Sequence, residues 1–166
     1  MTVHVRPAHT SELAEIGELT AAAYTADGLL ADDDPYLEHL RDATTRAHEA
    51  ELYVAVLEDQ PDTVAGTVTF CPQGSPWAEL ARPGEGEFRM LAVASAARRR
   101  GVAQALVGVC LQRSSELGYS AVVLGSLPAQ RPAHRIYERL GFRRTPDLDW
   151  SPVEGVDLLA FRLDLY

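Results

Sequence analysis

Residues 98–103, with the sequence Arg-Arg-Arg-Gly-Val-Ala, are the clearest candidates for chemistry in this chain of 166 residues. They follow an alternating apolar segment and precede one with helical periodicity, so they should join a strand to a helix. Amide N–H groups in the first turn of a helix lack partners inside it and attract anions. Gly101 lets an anion approach the backbone, and Ala103 leaves room beside it. The pattern predicts a phosphate-binding site.

The charge distribution agrees with such a site. The chain has 24 acidic residues and 15 arginines, with no lysine, and a net charge of −9. Residues 98–144 alone hold nine arginines and two acids, a local charge of +7. Most of the remaining surface would repel a duplex nucleic acid, so we expect no nucleic-acid partner. One basic segment in an acidic protein favours a compact anionic ligand, although chance clustering on solvated helix faces would give the same count.

Other reactive side chains are less informative on their own. Tyr137 lies on the apolar stripe of a predicted helix, which favours a core tyrosine. Cys71 precedes Pro72 with no histidine close in sequence, so it is a weak candidate nucleophile. Cys110 lies on an apolar helix stripe, which indicates core packing. The five histidines show no metal-ligand spacing, and we predict no metal site.

Glu87 has two competing interpretations. Strand alternation would place it on one face with Arg89, Leu91 and Val93. A carboxylate there can accept a proton during a reaction, or it can simply pair with Arg89 or Arg144 near a strand end. The residues alone leave both alternatives open.

The compartment is predicted from what the chain lacks. No stretch approaches 18 consecutive apolar residues, and the N-terminus has no cationic start followed by an apolar run. Two cysteines cannot form a disulfide framework. We therefore expect a cytoplasmic protein with no membrane partner.

Two periodicities alternate along the chain and define the predicted elements. Apolar alternation and apolar runs predict seven strands, at residues 3–7, 52–57, 64–70, 85–93, 121–124, 142–144 and 156–165. Helical spacing predicts four helices, beginning near residues 10, 34, 102 and 132, of which the second runs to about residue 47. The unit over 85–126 should be a right-handed parallel crossover. This order predicts an α/β fold on a mixed sheet, in a single domain over residues 1–166.

Three segments together resemble the GCN5-related N-acetyltransferase (GNAT) superfamily. They are residues 87–93, 98–103 and 133–142. The family's acyl-CoA pyrophosphate motif, Q/R-x-x-G-x-G/A, is matched by Arg98, Gly101 and Ala103. Its A-x-x-x-Y-x-x-x-G-F ending is matched by Ala133, Tyr137, Gly141 and Phe142. The resemblance is strongest over residues 85–144 and implies a mixed, mostly antiparallel sheet of six to seven strands with helices on both faces.

The resemblance implies acetyl-CoA as the cosubstrate. The strand ending Leu91-Ala92-Val93 would be bulged and would splay from residues 122–126, with the pantetheine arm in the gap. One N–H group of residues 91–93 would polarise the thioester carbonyl. The pyrophosphate would lie on the amides of residues 99–103, and Gln130 stands where the family often has asparagine. The cofactor-binding residues implied in this way are Leu91, Ala92, Val93, Arg98, Arg99, Arg100, Gly101, Val102, Ala103, Gln130 and Tyr137.

The resemblance also assigns roles in transfer to an amine. Tyr137 becomes the general acid for the departing thiolate, and Glu87 the general base, with Glu85 as a nearby alternative. The implied activity is transfer of an acetyl group to a primary amine of a small molecule or peptide, directly in a ternary complex. A non-catalytic acyl-CoA-binding regulatory module and an O-acyl or longer-acyl transferase are the alternatives. A homodimer is left open.

Two weaker features concern the acceptor. Residues 32–34 are three consecutive aspartates, most often a solvated cap region, but in this family the segment commonly borders the acceptor cleft. Trp77, in the long loop of residues 71–84, could supply an aromatic wall. The acidic N-terminal half leads us to expect a preference for cationic acceptors.

Overall fold

A sheet of eight strands forms the centre of the protein, in a computed structural model that describes residues 2–165. The strands are β1 (Val3–Pro7), β2 (Glu51–Leu57), β3 (Gly66–Cys71), β4 (Glu85–Val93), β5 (Ala121–Ser126), β6 (Arg143–Arg144), β7 (Trp150–Val153) and β8 (Val156–Asp164). They lie in the order β1-β2-β3-β4-β5-β8-β6, and β7 also pairs with β8. The pair β4–β5 is parallel, and the other pairs are antiparallel. The predicted mixed, mostly antiparallel sheet is confirmed, with one strand more than expected.

Helices cover both faces of this sheet, as predicted. One face carries α1 (Leu13–Ala26), α2 (Tyr36–Arg41) and α3 (Ala43–Glu49), and the other carries α4 (Val102–Glu116) and α5 (Arg131–Arg139). The alternation of β2 shows the division, since Leu52 and Val54 pack with the core under α1 and α3. Ala55 and Leu57 pack with the core under α4. Among residues 2–165, none of the helices is both long and apolar enough to cross a membrane.

The single helix predicted over residues 34–47 is wrong, because the chain forms two helices there. Asp42 leaves the helical conformation, with ψ at 63°, directly after Arg41 ends α2. Its carboxylate accepts the backbone N–H of Thr45 at 3.1 Å and so caps the start of α3. Gly17 on α1 faces this junction, where a Cβ would stand 2.2 Å from the Arg41 carbonyl oxygen. The close approach of α1 to α2 therefore requires glycine.

Two further local predictions are wrong. β7 was missed, since Pro152 falls within it and proline argues against a strand in sequence reasoning. It forms a hairpin with β8 through Gly155, whose φ is +84°. Leu117, expected on the apolar stripe of α4, follows the last turn of that helix and is 38% exposed.

A bulge interrupts β4. Along the pairing with β3, Thr67 lies opposite Ala92 but Thr69 lies opposite Arg89, so β4 contains one extra residue between these points. Met90 lies within this stretch and has a φ of +55°, a left-handed conformation that is uncommon outside glycine. The bulge that the family resemblance implied is therefore confirmed.

The bulge also changes which side chains share a face. Arg89 and Met90 contact residues of the core under α1 and α2. Leu91 and Val93 pack with the core under α4. The prediction that Leu91 and Val93 share a face with Glu87 and Arg89 is wrong, because the extra residue shifts the alternation by one position.

Candidate active site

The split between β4 and β5 opens a cleft in the middle of the sheet. The parallel ladder ends at Phe88 opposite Leu124, and beyond these residues the strands diverge. Ala92 and Val93 pair with β3 along one edge and have no strand partner on the other within the described chain. The cleft is lined by residues of α1, β4, β5 and α5: Tyr24, Phe88, Arg89, Met90, Leu91, Gly125, Ser126, Gln130 and Tyr137. This unpaired edge fits the extended, amide-bearing arm of a pantetheine group.

The loop before α4 has the backbone geometry of an anion site. Arg99 and Gly101 both have left-handed φ angles, of +63° and +80°, and Gly101 is the N-cap of α4. The N–H groups of the first turn therefore have no acceptor inside the helix. A Cβ built on Gly101 would meet nothing within 4 Å, so the approach to these amides is open. Residues 99–103 thus fit the predicted pyrophosphate.

Two of the three arginine side chains of this loop form ion pairs with acidic residues of the protein. Arg98 forms an ion pair with Asp27 at the end of α1, and Arg100 forms one with Asp59. Arg99 has no carboxylate within 4.0 Å among residues 2–165. The local charge of +7 is therefore partly neutralised, and the backbone amides with Arg99 remain as the free anion-binding groups.

The position of Tyr137 fits a core tyrosine, and its role as the general acid stays a prediction. Its ring packs in the core against Phe88, Phe142 and Phe161, with centroids 5.7 to 5.9 Å away. The residue nevertheless lines the cleft at the split. Burial raises the pKa of the Tyr137 hydroxyl well above its usual value, so the group stays protonated. A neutral hydroxyl at this place can donate a proton or a hydrogen bond into the cleft.

Gln130 uses part of its amide to close the turn between β5 and α5. Its Oε1 accepts the backbone N–H of Leu127 at 2.9 Å and the hydroxyl of Ser126 at 3.0 Å. His134 Nε2 lies 3.1 Å from the Ser126 oxygen. Sequence reasoning considered His134 only as a metal ligand, because its contact with Ser126 depends on the turn. Gln130 lines the cleft, and its contact with a cofactor stays a prediction.

Glu87 is buried and anchors the loop between β3 and β4. Its Oε1 accepts the backbone N–H groups of residues 79–81 at 2.8 to 3.0 Å. Burial raises the pKa of this carboxyl, although the three N–H groups and the charge of Arg89 act in the opposite direction. The ion pairs with Arg89 or Arg144 that the sequence offered as an alternative do not form, and Arg144 pairs with Asp149 instead.

Glu85, the alternative base, is held in an ion pair, and Cys71, the candidate nucleophile, is buried. Glu85 forms an ion pair with Arg162 at 2.5 Å. Cys71 lies opposite Glu87 in the sheet, fully buried, and burial raises the pKa of its thiol far above the usual value. A neutral, inaccessible thiol is a poor nucleophile.

Arg89 lines both cavities, although the sequence suggested it only as an ion-pair partner of Glu87. Its guanidinium lies between the rings of Trp77 and Trp150, 5.6 and 5.4 Å from their centroids. It donates to the Trp77 carbonyl oxygen at 3.2 Å and to the Tyr36 hydroxyl at 3.4 Å. Trp77 contacts this guanidinium but lines neither cavity of the described structure, so its role as an aromatic wall for an acceptor stays a prediction. No sequence signal connects these residues, because they come from a loop, β7 and α2.

A bulged strand split from its parallel neighbour, beside an anion-binding helix start, defines the acyl-CoA-dependent acyltransferase fold. The chain belongs to the acetyltransferase (GNAT) family, whose model matches residues 13–142. Family membership confirms the predicted resemblance to the acetyltransferases of this superfamily.

Individual relatives match shorter parts of the chain. The N-acetylaspartate synthetase of Danio rerio is 38% identical over 70 residues, 42% of this chain and 25% of that protein. An uncharacterised N-acetyltransferase of Schizosaccharomyces pombe is 33% identical over 101 residues, 61% of this chain and 58% of that protein. The chain thus spans 25% to 58% of the length of these curated relatives. The Salmonella typhimurium protein yncA, solved with its cofactor acetyl-CoA, has a TM-score of 0.68 at 19% identity, covering 100% of this chain and 95% of that one.

Proposed function

We propose that the protein transfers the acetyl group of acetyl-CoA to a primary amine of a small molecule or peptide, directly in a ternary complex. The observation that carries this proposal is the position of Tyr137, which lines the cleft at the split between β4 and β5, in a fold that also has an open helix start at Gly101. The name of the Danio rerio relative, N-acetylaspartate synthetase, refers to an N-acetylated amino acid, which supports an amine as the acceptor.

The donor half of the site would use mainly backbone groups. Acetyl-CoA supplies an activated acetyl group on sulfur. The amides of residues 99–103 bind its pyrophosphate, and the free edge at Ala92 and Val93 pairs with its pantetheine arm. A backbone N–H of residues 91–93 polarises the thioester carbonyl as charge develops on its oxygen.

Transfer requires two proton movements. The amine nitrogen forms a bond to the acetyl carbon, the carbon–sulfur bond breaks, one proton leaves nitrogen and one reaches sulfur. The Tyr137 hydroxyl, kept neutral by burial, donates to the sulfur. Glu87 takes the amine proton on Oε2, since the three N–H groups of residues 79–81 all meet Oε1. The buried Cys71 offers no route through an acetylated enzyme.

Steady-state release of CoA thiol over a panel of primary amines tests this function. We expect turnover that depends on both substrates and gives intersecting double-reciprocal lines, with little release when the amine is omitted. Parallel lines would contradict direct transfer, because they indicate a covalent acetyl-enzyme. Calorimetric binding of acetyl-CoA without turnover on any amine would favour a regulatory module instead.

A further inference from the structure

Arg89 forms no ion pair within residues 2–165 and presents its positive charge to the cleft. Its two protein hydrogen bonds, to the Trp77 carbonyl and the Tyr36 hydroxyl, use two of the five N–H donors of a guanidinium. Within residues 2–165, no carboxylate oxygen lies within 4.0 Å of it. Two indole rings contact the guanidinium, at 5.6 and 5.4 Å from its central carbon to their centroids, and restrict its position. The remaining donors of a fixed, planar fork are therefore available to a ligand.

A second arginine, Arg46, adds positive charge near Arg89. Arg46 on α3 is fully buried, and its Nη1 donates to the carbonyl oxygens of His39 and Leu40. Its Nε and Nη2 have no hydrogen-bond partner in the described chain. Burial, with a further contribution from the charge of Arg89, lowers the pKa of Arg46 to about 10, while Asp42 acts to raise it. Arg46 is buried and Arg89 is half-buried, on the same side of the sheet. Two cations placed in this way favour the binding of an anion where Arg89 faces the cleft.

A second pocket lies beside the cleft, and its lining residues suit an acceptor. Arg89, Glu87, Tyr36 and Trp150 line it, and it shares Arg89 and Gly125 with the cleft that Tyr137 lines. Asp32 and Asp33 are exposed and Asp34 is half-buried, and none of the three lines either cavity in the described structure. The expected preference for cationic acceptors therefore finds no support from these aspartates.

We infer that the acceptor carries a carboxylate beside its amine and that Arg89 binds this carboxylate. This inference rests on the proposed function and narrows its substrate class to amino acids and related amino carboxylates. An arginine fork matches the two oxygens of a carboxylate, so it fixes both position and orientation. With the carboxylate on Arg89, the amine faces Glu87 and the shared boundary at Gly125, where the acetyl group arrives.

Matched substrate pairs test the inference. Each L-amino acid is compared with its carboxamide, at a pH at which both amines are largely neutral, in the wild type and in Arg89→Gln. We expect the wild type to prefer the acids at least tenfold in kcat/KM. Arg89→Gln should raise the KM for acids roughly 10- to 100-fold, the range for a lost charge-assisted pair, and abolish the preference. The KM for acetyl-CoA should change much less than the KM for the acids, because the donor half uses mainly backbone groups.

Two further variants separate charge from geometry. Arg139→Gln removes an exposed arginine of α5 that makes no ion pair in the described chain and should leave all parameters unchanged. Arg89→Lys keeps the charge without the fork and should recover only part of the preference. Equal use of acids and amides by the wild type would overturn the inference, and so would an equal loss on both substrates in Arg89→Gln.

A binding measurement keeps the inference testable if no amine is acetylated. Amino acids are titrated calorimetrically into the CoA-loaded wild type and the CoA-loaded Arg89→Gln protein. Binding of acids but not of amides to the wild type, lost in the variant, would support carboxylate recognition even though the proposed function had failed. Identical titrations of the two proteins would overturn carboxylate recognition by Arg89.

Discussion

The backbone N–H of Phe142 donates to the carbonyl oxygen of Tyr137 at 2.9 Å, and the two rings meet edge to face with centroids 5.8 Å apart. The hydrogen bond between these two residues lies at the end of α5, where Gly141 has a φ of +100°. Phe88 and Phe161 complete the aromatic cluster around the tyrosine. The Tyr137 ring is therefore held by both backbone and packing, so its hydroxyl can be removed without moving the ring.

Tyr137→Phe should separate catalysis from packing. We expect turnover to fall roughly 10²- to 10⁴-fold, the range for a positioned acid, with a smaller change in the KM for acetyl-CoA. The free energy of unfolding should change by about 1 kcal/mol or less. Thiol release and thermal melts measure the two effects. Tyr119→Phe is the control, because it removes a buried hydroxyl that accepts from the Gln73 N–H away from the cleft. A lower melting temperature with normal kcat would make Tyr137 a core residue only.

Gly101→Glu should weaken binding of acetyl-CoA while leaving the fold intact. The substitution places a negative charge at the start of α4, where the pyrophosphate would lie, and repulsion between like charges should weaken binding at least tenfold. Gly118→Glu is a matched control, since Gly118 also has a left-handed φ and open space around its Cβ but lies beyond the other end of α4. Calorimetry should find normal affinity in Gly118→Glu. Equal affinities in the two variants would contradict the phosphate site.

Glu87→Gln should slow turnover and remove a pH dependence. The amide keeps an oxygen for the N–H groups of residues 79–81 but cannot take a proton. Because burial raises the pKa of Glu87, the rise of kcat/KM with pH should be centred above the usual glutamate value and should disappear in the variant. An unchanged pH profile in Glu87→Gln would mean that Glu87 anchors the loop and does not take a proton during the reaction.

The same raised pKa has a consequence for stability. A carboxyl that holds its proton more tightly when folded contributes stability that is full below the unfolded pKa, about 4.3 for glutamate, and is lost as pH rises through the folded pKa. Relative to Glu87→Gln, the wild type should therefore lose stability over that interval. Urea unfolding at a series of pH values measures the difference. A difference that stays constant with pH would mean that the pKa is not raised.

Glu12 should have the opposite pH dependence. Its carboxylate accepts two hydrogen bonds from Arg6, at 2.8 and 2.9 Å, and the His9 N–H, and the Arg6 contact lowers its pKa to about 2. The stability it contributes is present above the usual glutamate pKa and is lost as pH falls through about 2. Glu12→Gln should cost about 1–2 kcal/mol at pH 7 and nothing near pH 2. Glu18→Gln, at an exposed glutamate of α1, should change little at either pH.

Local patterns were enough to predict most elements of the fold and the open helix start at Gly101. Strand alternation and helix periodicity located most elements, and the motif around Gly101 identified the helix start, because these properties depend on neighbouring residues. The bulge at Met90 was expected only through the family resemblance. Its effect on the faces of β4 was not predicted, since nothing about methionine signals a left-handed φ.

The acceptor half depends on contacts between distant segments. Arg89 gains its role from Trp77 in a loop and Trp150 in a strand that the sequence did not reveal. Glu87 was singled out, but its bonds to residues 79–81 depend on how that loop folds back. Such relationships require the tertiary structure, because no periodicity connects the residues involved.

Because of the split in the sheet, we expect the amount of the protein in a cell to depend on ligand binding. Four residue pairs, from Glu85–Ala121 to Phe88–Leu124, hold β4 to β5, and the rest of that edge is open. A ligand that pairs with the open edge adds its binding free energy to the free energy of unfolding, about 2.7 kcal/mol at 100 times its Kd. In cells, chaperones and proteases remove chains through their unfolded fraction. We therefore expect the supply of acetyl-CoA to influence how long each copy of the protein survives.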